Sequence, residues 1–126
     1  MSPNMHLKAD QPGRFVAMDA VASMYAQGRG VSQNYAEGVK WWHESGEQGS
    51  AIGQANLRAM YIAGRGVPQD YVEAYFWLTL AARFGFSGAS QYQEEAAGHL
   101  TPQQIAGTRK RAHDWEVTPV PVKFRE

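Results

Sequence analysis

Apolar residues recur at helical spacing through most of this chain. In the stretch from Arg14 to Gln27 the positions Val16, Met18, Val21, Met24 and Tyr25 return mostly every three or four residues, which predicts a helix with one buried stripe. Ala51 to Ile62 reads the same way, with Ala55, Leu57, Met60 and Tyr61 facing inward. Helices are also predicted from about Tyr35 to Gln48 and from about Tyr71 to Phe84, the latter with an apolar face of Tyr71, Ala74, Tyr75, Leu78, Leu80, Ala81 and Ala82. No run alternates as a strand pair would, so the pattern predicts an all-α chain.

Polar and glycine positions punctuate these helices at fixed places. Gly28 and Gly64 follow the first and third helices, where a residue without Cβ turns the chain at positive φ. Asn34 with Glu37, and Asp70 with Glu73, are spaced as capping boxes opening the second and fourth. Gly49 and Gly85 close them. Ser87 or Ser90 is expected to cap a short helix reaching about Gly98. Thr101, Pro102 and Gln104 then supply N-cap, N1 and N3 of a last helix through Trp115, whose stripe is Ile105, Thr108, Ala112 and Trp115.

The punctuation repeats because the sequence does. MYAQGRGVSQNYAEGVKW at 24–41 returns 36 residues later as MYIAGRGVPQDYVEAYFW at 60–77. A period of this size marks stacked supersecondary units, here helical hairpins. The chain therefore divides into a lead-in at 1–13, a repeat domain at 14–116 and an extended tail at 117–126. Within the domain the units run about 14–49 and 50–85, with capping helices about 87–116. Pro119 and Pro121 stop the tail from continuing the last helix, and Val120, Val122 and Phe124 are placed to lie across the terminal hairpin.

Composition removes several function classes. With 12 Lys plus Arg against 12 Asp plus Glu, the net charge is zero, and bulk electrostatics point to neither nucleic acid nor an anionic membrane. The trio Arg109, Lys110 and Arg111 reads as a solvated helix face. The absence of cysteine excludes thiol catalysis and thiolate metal sites. His6, His43, His99 and His113 lack metal-ligand spacing, and the two GRG segments lack the Lys-Ser/Thr of a phosphate loop. No segment is apolar for the length of a membrane span and the N-terminal stretch has no apolar signal core, so a cytoplasmic location is favoured. No cofactor, metal or enzymatic role is expected.

The residues of the second unit that carry the repeat, Ala51, Gln54, Leu57, Met60, Tyr61, Gly64, Gly66, Val67, Pro68, Asp70, Tyr71, Ala74, Trp77, Ala81, Ala82 and Gly85, resemble the pattern of Sel1-like repeats, a subclass of tetratricopeptide-type solenoids. The first unit matches through Met24, Tyr25, Gly28, Gly30, Val31, Tyr35, Trp41, Trp42 and Gly49, among others, and 100–115 is similar to the helix that often closes such arrays. The resemblance implies a right-handed α/α superhelical solenoid whose concave surface binds proteins or peptides, and occasionally bacterial cell-wall-related partners. Departures are also visible: Arg58 stands at a family glycine, Phe15 and Met18 replace Ala and Gln, and Gly38, Ser45 and Gly46 replace alanines, which should weaken the second helix.

The function expected is that of a non-enzymatic adaptor or regulator. The alternatives are an assembly unit that self-associates through a terminal hairpin, or an inhibitor-like partner of a cell-wall enzyme. Arg29 and Arg65, duplicated in the turns, are candidate carboxylate grips. Trp42, Tyr75 and Phe76 are candidate aromatic anchors, whereas Trp41 and Trp77, at the repeated position, are assigned to the core. His43, Asn56 and Gln48 are expected to orient a partner. Specificity is expected where the copies disagree, at His43 against Thr79, Val39 against Tyr75, Lys40 against Phe76 and Trp42 against Leu78.

Overall fold

A computed structural model describes residues 14–115, and among them it contains only helices and their connections. The expected lead-in at 1–13 and the tail beyond residue 116 lie outside the described residues. The helices are α1 Arg14–Gln27, α2 Tyr35–Glu47, α3 Ala51–Ala63, α4 Tyr71–Arg83, α5 Ala89–Ala97 and α6 Pro102–Asp114. α1 packs on α2 and α3 on α4 as two hairpins. α2 packs on α3 to stack them, while α5 and α6 both lie against α4.

The turn inside each hairpin is built twice from the same bonds. Gly28 and Gly64 both take φ of 68°, and the amides of Arg29 and Arg65 reach back to the Met24 and Met60 carbonyls at 3.0 and 3.1 Å. The Gln33 amide group donates to the Ala26 carbonyl at 2.8 Å and its counterpart Gln69 to Ile62 at 2.9 Å. Asn34 Oδ1 then accepts from the Glu37 amide, and Asp70 Oδ1 from the amides of Val72 and Glu73. The reciprocal half of the expected capping box does not form here. The Asn34 and Asp70 amides donate instead to the Tyr25 and Tyr61 carbonyls at 2.8 and 2.9 Å, so the cap is tied to the preceding helix and Glu73 is free to pair with Arg111.

Small residues let α2 sit close to its neighbours. A Cβ on Gly38 would stand 3.0 Å from the Ala22 carbonyl oxygen, and one on Gly53 would meet Ser45 Oγ at 2.2 Å and the backbone at Gly46 and Trp42 at 3.0 Å. The expected weakness of α2 thus has a counterpart in tertiary packing: the helix runs unbroken, and its low-propensity residues mark where backbones approach. One core crosses both repeats, through Ala22, Val39, Trp42, Leu57, Phe76, Trp77 and Leu80.

Aromatic placement departs from expectation at one pair. Trp77 is buried as assigned, but Trp41 is only half-buried against the core, and Trp42 takes the interior place at 3% exposure. The buried stripe of α2 is Gly38, Val39, Trp42, Ser45 and Gly46, and helical periodicity puts residue 42 rather than 41 on that stripe. α4 is buried continuously from Ala74 to Leu80 except at Thr79, because α3, α5 and α6 all pack on it.

The C-terminal helices differ in how they begin. α6 opens with the expected full box, Thr101 accepting from the Gln104 amide and Gln104 accepting from the Thr101 amide. α5 is not capped by Ser87 or Ser90. Gly88 at φ 79° turns the chain into Ala89, with no side chain accepting at that end. The basic trio is also not merely solvated: Arg109 Nε donates to the Tyr75 hydroxyl at 2.9 Å, Arg111 pairs with Glu73, and Lys110 pairs with Asp114 at 2.7 Å. Arg83 of α4 completes the attachment, donating to the Ala112 carbonyl at 2.7 Å.

Candidate functional site

The first helices of the hairpins, α1 and α3, present their free sides along one groove. Two depressions meet there, sharing Ala51 and Ile52. The larger, about 500 Å³, is lined among others by Ile52, Ala55, Asn56, Arg58, Ala59 and Phe86. The smaller, about 400 Å³, is lined by Phe15, Val16, Asp19, Ser50 and Ile52 together with Gly49 and Ala51. Val16 and Ile52 are the most exposed large apolar side chains of the described residues, at 67% and 62%.

Local chemistry fixes this surface. Asp19 lies 8% exposed at the groove floor and accepts from Ser45 Oγ at 2.6 Å and Ser50 Oγ at 2.8 Å. Burial pushes its carboxyl above the usual carboxylate value, and the two hydroxyl bonds hold it partly down. Ser50 is also the N-cap of α3, accepting from the Gly53 amide, so one hydroxyl joins α1 to the start of α3. Asn56 donates to the Ile52 carbonyl within its own helix. Arg58, at the family glycine, places its guanidinium 4.2 Å over the Tyr92 ring of α5. Its Nε is buried without a hydrogen-bond partner, and among the described residues it pairs with no carboxylate.

Of the residues selected from sequence, only Asn56 lines the groove. Trp42, Tyr75 and Phe76 are 3, 1 and 2% exposed, which corrects their assignment as surface anchors: α4 is enclosed on several sides, and Arg111 covers the Phe76 ring at 3.7 Å. The same correction applies to Val39, Trp42, Tyr75, Phe76 and Leu78 among the positions where the copies disagree, all of them interior, whereas Lys40 is exposed and His43 and Thr79 are partly so. Those differences fit each unit to its own neighbours. His43 is wedged elsewhere, its ring nitrogens 3.3 Å from Glu47 Oε1 and the Tyr61 hydroxyl and its edge against Trp77. Gln48 is buried and also outside the groove lining. Arg29 and Arg65 are exposed in the turns, with Arg65 5.4 Å over the Tyr35 ring.

Sequence reasoning missed Val16, Ile52 and Phe86. Val16 was expected inside the α1 stripe, yet it points out. Val16 and Ile52 occupy equivalent repeat positions and are both exposed, but the repeat pairs them without saying whether that register is covered. A third depression, about 470 Å³ between α4 and α6, is lined by Thr79, Arg83, Arg109, Ala112 and His113, and both of its arginines are engaged in fastening α6 to α4.

Among the described residues no group of three or more His, Asp or Glu is placed to hold a metal ion, and no helix is long and apolar enough to cross a membrane. The arrangement offers an apolar groove with one unpaired cation and a few amide and hydroxyl groups, which is equipment for recognition.

Comparison with known proteins bears on this directly. A Sel1 repeat family model matches at residues 16–50 and again at 51–85. Among solved structures, the chain is similar to a Sel1 repeat protein from Oxalobacter formigenes at 32% identity and a TM-score of 0.61, covering 64% of this chain and 23% of that one. It is also similar to c5321, a protective antigen of uropathogenic Escherichia coli displaying an SLR fold, at 29% identity and a TM-score of 0.66, covering 81% and 23%. The chain thus spans about a quarter of the length of these structures. No curated protein matches. Repeats of this kind generally serve as non-enzymatic scaffolds for protein–protein interaction. The model match over more than half of the residues, in register with both helical hairpins, places this chain in the Sel1 repeat family as an all-α solenoid.

Proposed function

We propose that this chain is a non-enzymatic protein-binding adaptor that takes a peptide segment of its partner along the groove between α1 and α3. The observation that carries this reading is the pairing of Val16 and Ile52, two large apolar side chains left mostly in solvent at equivalent repeat positions beside joined depressions of about 400 and 500 Å³. Contiguous exposed apolar surface rimmed by polar groups marks an interaction site. Asn56 and the unpaired guanidinium of Arg58 would orient the segment, with Arg58 suited to a carboxylate.

Affinity capture with the wild type and an Ile52→Glu variant side by side tests this. A polypeptide retained by the first and lost by the second, with helical circular dichroism unchanged, is the expected result. An identical set of bound polypeptides contradicts the groove.

A further inference from the structure

The internal repeat shows what kind of surface α1 leaves open. On α3 the residues Gly53, Gln54, Leu57 and Met60 are buried against the preceding helix α2, at 9% exposure or less. Their counterparts on α1, one repeat earlier, are Ala17, Met18, Val21 and Met24. These are half-buried or exposed, Met24 reaching 36%, because no described helix stands where α2 stands for α3. α1 buries Ala22 and Ala26 against α2 on its other side. The helix is therefore apolar on two sides and covered on one, a pattern that belongs to a helix enclosed on both.

We infer that a second copy of this chain covers this face, with the two α1 helices packed antiparallel across a two-fold axis near Val21. Three observations favour that occupant. Between positions 17 and 25 the face carries no charged side chain, and Arg14 at its end falls opposite Gly28 in an antiparallel pair centred on Val21, so pairing it with itself sets no like charges directly opposite one another. In an antiparallel pair centred on Val21, Ala17 falls opposite Tyr25 and Met18 opposite Met24. Small meets large and flexible meets flexible, the self-complementarity an isologous contact needs. Finally, α6 at the opposite end of the stack exposes Gln103, Gln104, Arg109, Lys110 and His113, so head-to-tail stacking onto the apolar α1 face is unfavourable and association closes at two chains.

The face lies about 140° around α1 from Val16, counting 100° per residue. The groove stays open in the dimer, and failure of one reading leaves the other standing.

Sedimentation equilibrium from about 10 μM to about 1 mM covers the range in which so small an interface dissociates. The weight-average mass is expected to rise from that of one chain toward that of two and no further. Val21→Glu, and independently Met24→Lys at the more exposed position, should hold it at one chain with helical content unchanged. The chain contains no cysteine, so Val21→Cys should form a disulfide-linked dimer under air oxidation while Gln103→Cys on α6 does not. A single-chain mass throughout the range overturns the proposal and leaves the face to another occupant. Association that survives both variants, or equal cross-linking at position 103, overturns it as well.

Discussion

Asp19 shows how one residue can join three elements of a small protein. Its carboxylate receives hydroxyl protons from Ser45 near the end of α2 and from Ser50 at the start of α3. Burial raises its native pKa above the ordinary 3.8, so the neutral carboxyl is the form that favours folding. That contribution is complete below 3.8 and is lost as pH rises through the raised native value. Asp19→Asn keeps the geometry: its carbonyl accepts from Ser50, and its amide donates to Ser45 Oγ, whose proton then goes to the Trp42 carbonyl 3.2 Å away. Urea melts of this variant between pH 3 and 7 should lack the part of the decline in stability that Asp19 causes in the wild type; parallel pH profiles would contradict it. Asp19→Ala instead leaves the Ser50 hydroxyl proton without its acceptor and should cost about 1–3 kcal/mol. Gly53→Ala should cost about 1–3 kcal/mol through overpacking, because the added Cβ meets Ser45 Oγ at 2.2 Å and backbone at 3.0 Å. A wild-type melting temperature for Gly53→Ala would show that the α2–α3 approach is looser than described. Single residues were unevenly legible in the sequence. Thr101 and Asp70 act on amides two or three positions away and could be placed from spacing alone, whereas the exchange of roles between Trp41 and Trp42 turns on which side of α2 meets α3.

At the level of elements, helix ends were read most accurately because their chemistry is local. α1 matches its expected bounds, and α2, α3 and α4 do so within a residue. The exception, α5, begins at a left-handed glycine, and nearby serines made a more familiar signal than the one the chain uses. Gln33 and Gln69 were overlooked in the same way: their bonds run seven residues back to a helix carbonyl, a span no capping pattern includes. The capping box of α6 gives a direct prediction. Thr101→Ala should lower stability by about 1 kcal/mol in a denaturant melt, and an unchanged midpoint would mean that α6 is held by its side chains alone. Those side chains are the Arg83, Arg109 and Arg111 contacts to α6 or from it to α4. Arg83→Met removes the donors to the Ala112 and Trp115 carbonyls. Amide exchange in 102–114 should then speed up ahead of α1 to α4; uniform exchange across the chain would contradict that order.

Across the whole molecule, the two repeats form one core rather than two, since Leu57 and Trp77 from the second unit pack with Trp42 and Val39 from the first. The 36-residue period made this architecture readable because turn, cap and core residues recur with it. The recognition surface was not readable in the same way. Whether an apolar residue such as Val16 or Tyr75 is covered depends on helices far away in sequence, and the repeat offers the same residue types to both fates. Trp42 and Tyr75 were therefore assigned to the surface and Val16 to the core, the reverse of what the stacking produces at all three. The central claim is that recognition belongs to the sides of α1 and α3 that stacking leaves open, not to the duplicated turns. Amide exchange of the chain alone and in complex with its captured partner tests this most directly. Protection concentrated at 51–59 and 85–87, beside Val16, is the predicted result, whereas protection confined to the turns at 28–34 and 64–70 would contradict it.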